Sequence, residues 1–199
     1  MQILAISGSL RAASTNTVLL NAASALAPEN LKIILYAGLP NLPHFNPDLD
    51  NDAPEAVKDF RSQLVKSAGV IISSPEYAHG VPGVLKNALD WLVASGELYE
   101  KPVALFSASP RATFAQASLT LTLSVMSVRL IEEASITVPL LGKTFDESGV
   151  LADPGMSKAI HSALVTFAYA IGLIEPCRSG KCGDPLTDQY AETGGLKEQ

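Results

Sequence analysis

The chain alternates short apolar runs with longer stretches of helical spacing, and this alternation constrains the fold more than any other feature of the sequence. Runs rich in Val, Ile, Leu and Ala predict strands at Gln2–Ser7, Leu31–Tyr36, Gly69–Ser74, Pro102–Ser107 and Leu130–Val138. Helices are predicted between and after them, at Asn16–Leu26, Ala53–Ser67, Val81–Ala94, Arg111–Met126 and Pro154–Ile171. Nearly continuous apolar runs are typical of strands covered on both faces. The repeat of strand and helix therefore predicts an α/β fold with a parallel sheet and right-handed crossovers.

The composition disfavours several classes of protein. The chain has 199 residues, 47% of them hydrophobic, which suffices for one domain with a full core. Its net charge of −6 disfavours nucleic acid as a partner, because binding to phosphates needs a basic face. No apolar run reaches the roughly 20 residues of a membrane span, and the first residues lack the basic region of a signal peptide. We therefore expect a cytoplasmic protein that binds neither nucleic acid nor membrane.

The loop Ser7–Asn16 lies between a predicted strand and a predicted helix and is rich in hydroxyl groups. Free backbone N–H groups and the helix dipole make the start of such a helix a site for an anion. The hydroxyls are neutral hydrogen-bond donors, and Arg11 is a forked cationic donor. The loop lacks the Lys of a Walker loop and the glycines of a dinucleotide-binding turn, so it favours a monophosphate. The alternative is an ordinary capped helix without a ligand.

Two further loops follow the third and fourth predicted strands. In the sheet order 2-1-3-4-5, the first and third strands flank the switch point at which open parallel sheets bind ligands. The loop after the third strand combines the rigid Pro75, the aromatic Tyr77 and the small Gly80, which suits contact with a flat ring. The loop after the fourth strand, Ser107–Thr113, brings hydroxyls and an arginine to the same edge. The alternatives are a plain chain reversal for the first loop and a helix cap for the second.

Three segments lie outside this pattern or add little to it. The connector Ala37–Asp52 is long and proline-rich, so we expect it to border the site or a subunit contact. The segment 175–199 is polar and without periodicity, which predicts a weakly structured or docked tail after a domain of residues 1–174. Its cysteines, Cys177 and Cys182, have no neighbouring His that would complete a zinc site, so no metal centre is predicted.

Parts of the chain resemble the NADPH-dependent FMN reductase family. The similar segments are Gly8–Asn16, Leu42–Leu49 and Ser74–Trp91, and the resemblance extends from Met1 to Leu173. It implies a flavodoxin-like three-layer sandwich with a five-stranded parallel sheet in the order 2-1-3-4-5. It also implies non-covalently bound FMN, NADPH or NADH as the electron donor, and a homodimer or homotetramer.

The resemblance further implies which residues contact the cofactor. The FMN phosphate would lie against Ser9, Arg11, Ser14, Asn16 and Thr17. The isoalloxazine ring would lie against Pro75, Glu76, Tyr77 and Gly80, with Ser107, Ala108 and Ser109 along another edge. The family often has a glycine-rich loop at this last position, whereas this chain has Ser-Ala-Ser-Pro-Arg.

The function implied is an oxidoreductase that passes electrons from NAD(P)H through FMN to a flavin, quinone, azo or metal-oxyanion acceptor. The flavin carries the redox chemistry in such enzymes, so we predict no catalytic side chain. One open face that serves both substrates in turn predicts ping-pong kinetics. The first alternative is a flavodoxin-like FMN-binding electron carrier with a protein partner. The second is an α/β hydrolase or phosphatase without flavin, which the lack of a nucleophile motif in the sequence disfavours.

Overall fold

A computed structural model describes residues 1–140 and 146–178, with side chains described as far as residue 172. Its strands are β1 (Gln2–Ser7), β2 (Lys32–Leu35), β3 (Gly69–Ser73), β4 (Pro102–Ser107), β5 (Arg129–Leu130) and β6 (Ile136–Thr137). Its helices are α1 (Thr15–Ala25), α2 (Glu55–Lys66), α3 (Gly83–Asp90), α4 (Thr113–Val125), α5 (Glu147–Ala152) and α6 (Pro154–Arg178).

The strands form one parallel sheet in the order β2-β1-β3-β4-β5, and β6 pairs with the carboxyl end of β4. The predicted parallel order 2-1-3-4-5 is therefore confirmed. The direction of the strand order reverses at β1, which pairs with β2 on one side and β3 on the other. The register pairs Ser7 with Ser73, so the last residues of β1 and β3 lie side by side at the switch point.

Helices cover both faces of this sheet. In β1, Ile3 and Ala5 belong to the core that contains α1, α5 and α6, whereas Leu4 and Ile6 belong to the core that contains α2, α3 and α4. Because side chains alternate along a strand, a strand packed on both faces needs apolar residues at every position. This explains why the strands appear in the sequence as continuous apolar runs, and it confirms the three layers.

The prediction of one continuous fifth strand over Leu130–Val138 is wrong. The chain forms β5, turns through a 3-10 helix at Glu132–Ala134, and then forms β6. The two glutamates of that turn are exposed, which a strand buried on both faces would not allow. Between β5 and β6 the Ser135 hydroxyl replaces a strand contact, since it accepts from Leu105 N and donates to Ile131 O, both at 3.0 Å. The sheet therefore has six strands where five were predicted.

Helix α3 ends at Asp90, short of the predicted Ala94, because Leu92 N and Val93 N donate to carbonyls three residues back and not four, at 2.9 and 3.4 Å. The carbonyl of Trp91, just beyond the helix, is bound by two side chains. Arg61 and Ser95 Oγ donate to Trp91 O at 2.6 and 3.2 Å. Helix α5 was not predicted, although Asp146 caps it by accepting from Gly149 N at 2.8 Å.

Helix α6 begins at the predicted position, and the predicted cap is confirmed. Asp153 Oδ1 accepts from the backbone N–H groups of Gly155 and Met156, each at 2.9 Å. The helix spans residue 174, where the sequence predicted the domain to end, and that division stays a prediction. The side chain of Cys177 and the segment 179–199 lie outside the described part. No helix among the described residues is both long and apolar enough to cross a membrane.

The proline-rich connector lies against α3. Asn87 holds it with both ends of its amide, accepting from Phe45 N at 2.8 Å and donating to Pro43 O at 3.0 Å. The indole N–H of Trp91 donates to the same carbonyl at 2.9 Å, and the Trp91 side chain is fully buried. These hydrogen bonds fix the connector to the helix that follows the β3 loop.

Replacement of Asn87 by Ala removes two hydrogen bonds and leaves backbone groups of the connector without partners. We expect Asn87→Ala to lower the free energy of unfolding by about 1–3 kcal/mol. Urea denaturation measures the loss, and faster proteolysis within residues 37–52 locates it. Lys86→Ala, an exposed change on the same helix, is the control; equal stability of the two variants would contradict this role of Asn87.

Candidate functional site

The loops after β1, β3 and β4 meet at the carboxyl edge of the sheet and enclose a cavity of about 300 Å³. Its volume lies at the lower end of the range of small-molecule sites. The cavity is lined by Thr15, Asn16, Ser74, Pro75, Glu76, Ala108, Ser109, Arg111 and Ala112. Its position agrees with the general rule for open α/β sheets, which bind ligands outside the carboxyl ends of their strands.

The start of α1 forms one wall of the cavity. Ser14 caps the helix, and its Oγ accepts from Thr17 N at 3.4 Å. Asn16 lies in the first turn, lines the cavity and is only 5% exposed. Its Oδ1 accepts from the hydroxyl of Ser73 at 2.9 Å, and no described protein group accepts from its Nδ2. This wall therefore combines a helix N-terminus with an amide that still has donors for a ligand.

The loop after β1 approaches the loop after β3 closely at Gly8. Its N–H donates to Ser73 O at 2.8 Å. A Cβ at this position would lie 3.0 Å from Leu85 Cδ2 and 3.1 Å from Ser74 Oγ, closer than side chains normally pack. Glycine is favoured here, because a side chain would force the neighbouring atoms of Leu85 and Ser74 to shift by a few tenths of an ångström.

A tight turn after β3 presents Tyr77 at the surface. Tyr77 and Gly80 exchange backbone hydrogen bonds of 3.2 and 3.0 Å. The two residues between them, Ala78 and His79, have φ values of +49° and +60°. Residues other than glycine rarely adopt this left-handed region, so the turn carries local strain. Tyr77 is 57% exposed as a result, and its ring is available to a molecule in the cleft.

Glu76 links this turn to α4. Its Oε2 accepts from Ala115 N at 2.9 Å, and its Oε1 lies 3.2 Å from His79 Nδ1. The residue before α4 is Ala112, which has no side chain to cap the helix, so Glu76 caps it from another loop. The hydrogen bond from Ala115 N–H, and then that from His79, lowers the pKa of the Glu76 carboxyl. The His79 ring packs edge-on against Phe114 with ring centres 4.6 Å apart.

The loops after β1 and β4 share the sequence Ser-x-Ser-x-Arg and the same internal hydrogen bonds. After β4, Ser109 N donates to Ser107 Oγ at 3.4 Å and Arg111 N donates to Ser109 Oγ at 3.1 Å. The corresponding distances in Ser7–Arg11 are 3.4 and 3.3 Å. Two similar loops, each followed by a helix, therefore face the cavity from opposite sides of β3.

The predicted site residues all lie in these three loops or in the adjoining ends of α1 and β4. Those that line the cavity are Asn16, Pro75, Glu76, Ala108 and Ser109. The others lie in the same segments outside its lining: Ser9, Arg11, Ser14, Thr17, Tyr77, Gly80 and Ser107. The Thr17 hydroxyl is 2.9 Å from Ser7 Oγ, and the Ser107 hydroxyl donates to Ser109 O at 2.8 Å.

Four lining residues were absent from the predicted set: Thr15, Ser74, Arg111 and Ala112. The repeated Ser-x-Ser-x-Arg pattern was the available signal for Arg111.

A second hollow, of about 370 Å³, lies beside β4–β6 and α4, and its described lining includes Glu132 but no Lys or Arg. The cavity at the carboxyl edge is therefore the better candidate for an anionic ligand. The described residues contain no cluster of three His, Cys, Asp or Glu that would hold a metal ion.

Comparison with known proteins decides the family. The profile of the NADPH-dependent FMN reductase family matches residues 1–140. The chain belongs to this family. The predictions of an oxidoreductase and of FMN and NAD(P)H as its cofactors are thereby confirmed at the level of the family.

Individual members of the family agree with this assignment. An NAD(P)H-dependent FMN reductase from Pseudomonas aeruginosa is 32% identical over 170 residues, which cover 82% of this chain and 91% of that protein. A 2-hydroxy-1,4-benzoquinone reductase from Burkholderia is 40% identical over 91 residues, or 46% of this chain and 49% of that protein. FerB, an NAD(P)H:acceptor oxidoreductase from Paracoccus denitrificans, superposes with a TM-score of 0.77 at 29% identity, covering 86% and 97% of the two chains. The likeness to FerB confirms the flavodoxin-like fold.

The lowered pKa of Glu76 predicts that the contribution of this cap to stability depends on pH. A carboxylate with a lowered pKa in the folded state adds stability above the pKa of the unfolded chain, and this contribution is lost as pH falls through the folded pKa. We expect Glu76→Gln to lower the melting temperature at pH 7, and the difference from the parent protein to shrink below about pH 4. Glu29→Gln, at an exposed glutamate, is the control. A difference that stays constant from pH 7 to pH 3 would refute the charged cap.

Proposed function

We propose that this protein transfers electrons from NAD(P)H through FMN to small acceptors, with FMN bound in the cavity at the carboxyl edge. Quinones are the best-supported acceptors, because the Burkholderia relative is a benzoquinone reductase. The observation that supports the site most directly is Asn16, a buried amide in the cavity wall with unused donors at a helix N-terminus. The proposal extends to flavin, azo and metal-oxyanion acceptors at the same site.

The phosphate of FMN fits the α1 side of the cavity. This side offers the N-terminus of α1, the Asn16 amide and the hydroxyl of Thr15. Arg11 is exposed in the adjoining loop, where its guanidinium can fold over a phosphate and form paired hydrogen bonds. Ser9 and Ser14 support this arrangement from behind, since their hydroxyls hold the loop and the helix start in place.

The ring of FMN fits the opposite side of the cavity. Glu76 already occupies the N-terminus of α4 with a carboxylate, so this helix does not compete with α1 for the phosphate. Pro75, Ala108 and Ala112 give this side small apolar surfaces that suit a flat heterocycle. When bound between these residues, FMN would supply the redox chemistry, namely hydride acceptance from the nicotinamide and electron donation to the acceptor.

The protein itself binds and orients FMN and leaves one side of the cavity open to the substrates. Tyr77 is exposed beside the cavity, where its ring can pack against the flavin or a substrate. We propose that the nicotinamide and the acceptor use this one open side in turn, which gives ping-pong kinetics. No side chain is needed as a nucleophile or general base in this scheme.

We further propose that the protein forms a homodimer or homotetramer and acts in the cytoplasm, where NAD(P)H is available as a reductant. Helix α4 has an exposed apolar stripe that supports a subunit contact. Phe114, Leu121 and Val125 lie on it and are 59%, 67% and 75% exposed. Large apolar side chains grouped on one exposed helix face are typical of interaction surfaces. The stripe begins at the residue whose ring contacts His79, so the contact would border the site.

The proposed function is tested by loading the protein with FMN, removing the excess and recording the absorbance spectrum. Anaerobic NADPH should then bleach the bound flavin, and benzoquinone should restore its colour. Initial rates at several fixed benzoquinone concentrations should give parallel lines in double-reciprocal plots. Failure of NADPH and NADH to bleach bound FMN would favour an electron carrier, and failure to bind FMN at all would overturn the proposal.

Arg11→Ala tests the phosphate end of the cavity. The loss of a charge-assisted hydrogen bond should weaken FMN binding by about 1.5–3 kcal/mol. Fluorescence quenching of FMN measures the dissociation constant. Arg129→Ala, at an exposed arginine on β5 that pairs with Glu100, is the matched control. If Arg111→Ala weakened FMN binding and Arg11→Ala did not, the phosphate would lie on the α4 side instead.

Leu121→Lys tests the subunit contact. A cation in the middle of the apolar stripe should dissociate the oligomer, because a buried unpaired charge is strongly unfavourable. Light scattering after size exclusion measures the mass. Val65→Lys places the same charge at an exposed valine of α2 and should leave the mass unchanged. A parent protein that is already monomeric would disprove the proposed assembly.

A further inference from the structure

We propose that Ser73 is a positioning residue that orients the Asn16 amide, so that its NH₂ group and not its oxygen faces the phosphate. This inference rests on the proposed function, and concerns a serine outside the set of residues expected to contact FMN. It follows from one hydrogen bond between two buried side chains that come from different elements. Ser73 ends β3, and Asn16 lies in the first turn of α1.

The direction of that hydrogen bond is fixed by chemistry. Ser73 Oγ lies 2.9 Å from Asn16 Oδ1, an atom that only accepts, so the serine hydroxyl donates its single proton. Ser73 is fully buried and Asn16 is 5% exposed, so water does not readily replace either partner. The amide oxygen therefore points toward the sheet, and the amide nitrogen is left for the cavity that Asn16 lines.

The orientation matters because the two ends of an asparagine amide have nearly the same shape and opposite polarity. An Asn16 turned by half a rotation would fit the same space and present an oxygen to the anion. Packing alone does not distinguish the two orientations. In the turned orientation Ser73 Oγ would accept from the amide nitrogen, and its own proton would lose the acceptor it has in Asn16 Oδ1. Because Ser73 is fully buried, that unpaired proton would cost free energy, so the hydroxyl favours the observed orientation. Loss of this hydroxyl would let the amide turn, and the phosphate would lose a donor and gain a repulsive neighbour.

Backbone hydrogen bonding and strand pairing hold Ser73 in the position that orients the Asn16 amide. Its carbonyl accepts from Gly8 N at 2.8 Å, and its Cα is paired with Ser7 in the sheet. Ser7 does not compete for Asn16, because its hydroxyl lies 2.9 Å from Thr17 Oγ1. The sheet thus sets the hydroxyl of Ser73 opposite the Asn16 amide before any ligand arrives.

The test compares FMN with riboflavin, which has the same ring and no phosphate. We expect Ser73→Ala to weaken FMN binding about tenfold, as one lost hydrogen bond to a charged group implies, and to leave riboflavin binding unchanged. Ser73→Thr keeps the hydroxyl and should restore FMN affinity. Ser67→Ala removes a different buried serine hydroxyl, one that donates to Leu64 O before the other end of β3, and should change neither affinity.

A double-mutant cycle with Asn16→Ala decides whether Ser73 acts through Asn16. If it does, Ser73→Ala has no further effect on FMN affinity once Asn16 is alanine. Equal losses of FMN and riboflavin affinity, an unchanged FMN affinity, or an undiminished Ser73→Ala effect in the Asn16→Ala protein would each overturn the inference. A parent protein that binds riboflavin as tightly as FMN would instead overturn the phosphate assignment itself, so the two failures are distinguishable. Melting temperatures of the unliganded variants identify any that are unfolded, and Ser73→Cys then replaces Ser73→Ala as a weaker donor of similar size.

Discussion

The parallel pairing of β1 with β3 is the constraint on which the rest of the site depends. It aligns Ser7 with Ser73 and therefore brings the ends of two strands that are far apart in sequence to one point of the sheet edge. The loops that leave these strands pass each other closely there, which favours glycine at position 8. The same pairing places the start of α1 beside the end of β3. A binding cavity at this edge is a consequence of the strand order, and the loop residues give it its chemistry.

The similar loops after β1 and β4 show how one backbone design acquires two different uses. Both begin with Ser-x-Ser-x-Arg and both lead into a helix, so by backbone geometry alone either helix start could bind an anion. The difference lies in what the β3 loop brings to each side. Glu76 gives the N-terminus of α4 a negative charge, whereas Ser73 gives the α1 side a hydroxyl that leaves amide donors open. The end of β3 and the loop after it therefore make the two sides of the cavity chemically different.

Local signals, namely apolar period, glycine, proline and hydroxyl clusters, predicted the alternation of strands and helices and the three loops, whereas the sheet order was implied by the resemblance to the family. The sequence did not predict the break between β5 and β6, where the Ser135 hydroxyl replaces a strand contact, or the end of α3, where the backbone changes to hydrogen bonds three residues back. It also identified Glu76 only by resemblance, and as a contact of the ring. Its bond to Ala115 joins residues 39 positions apart, and no local pattern indicates such a pair. The misses at Ser135 and Glu76 therefore fall where a side chain bonds to backbone groups far away in sequence.

Buried polar groups offer a way to separate function from folding at this edge. A buried polar group normally has all its partners inside the protein, because an unpaired one costs free energy. Ser14, Ser73 and Ser107 follow this rule, since each hydroxyl has a protein partner. Asn16 follows it only in part, because its oxygen is paired and its nitrogen opens on the cavity. Ser73 orients the Asn16 amide, and the amide donors stay open to the cavity. A ligand explains this arrangement better than stability does, and the anionic end of FMN has the chemistry that those donors require.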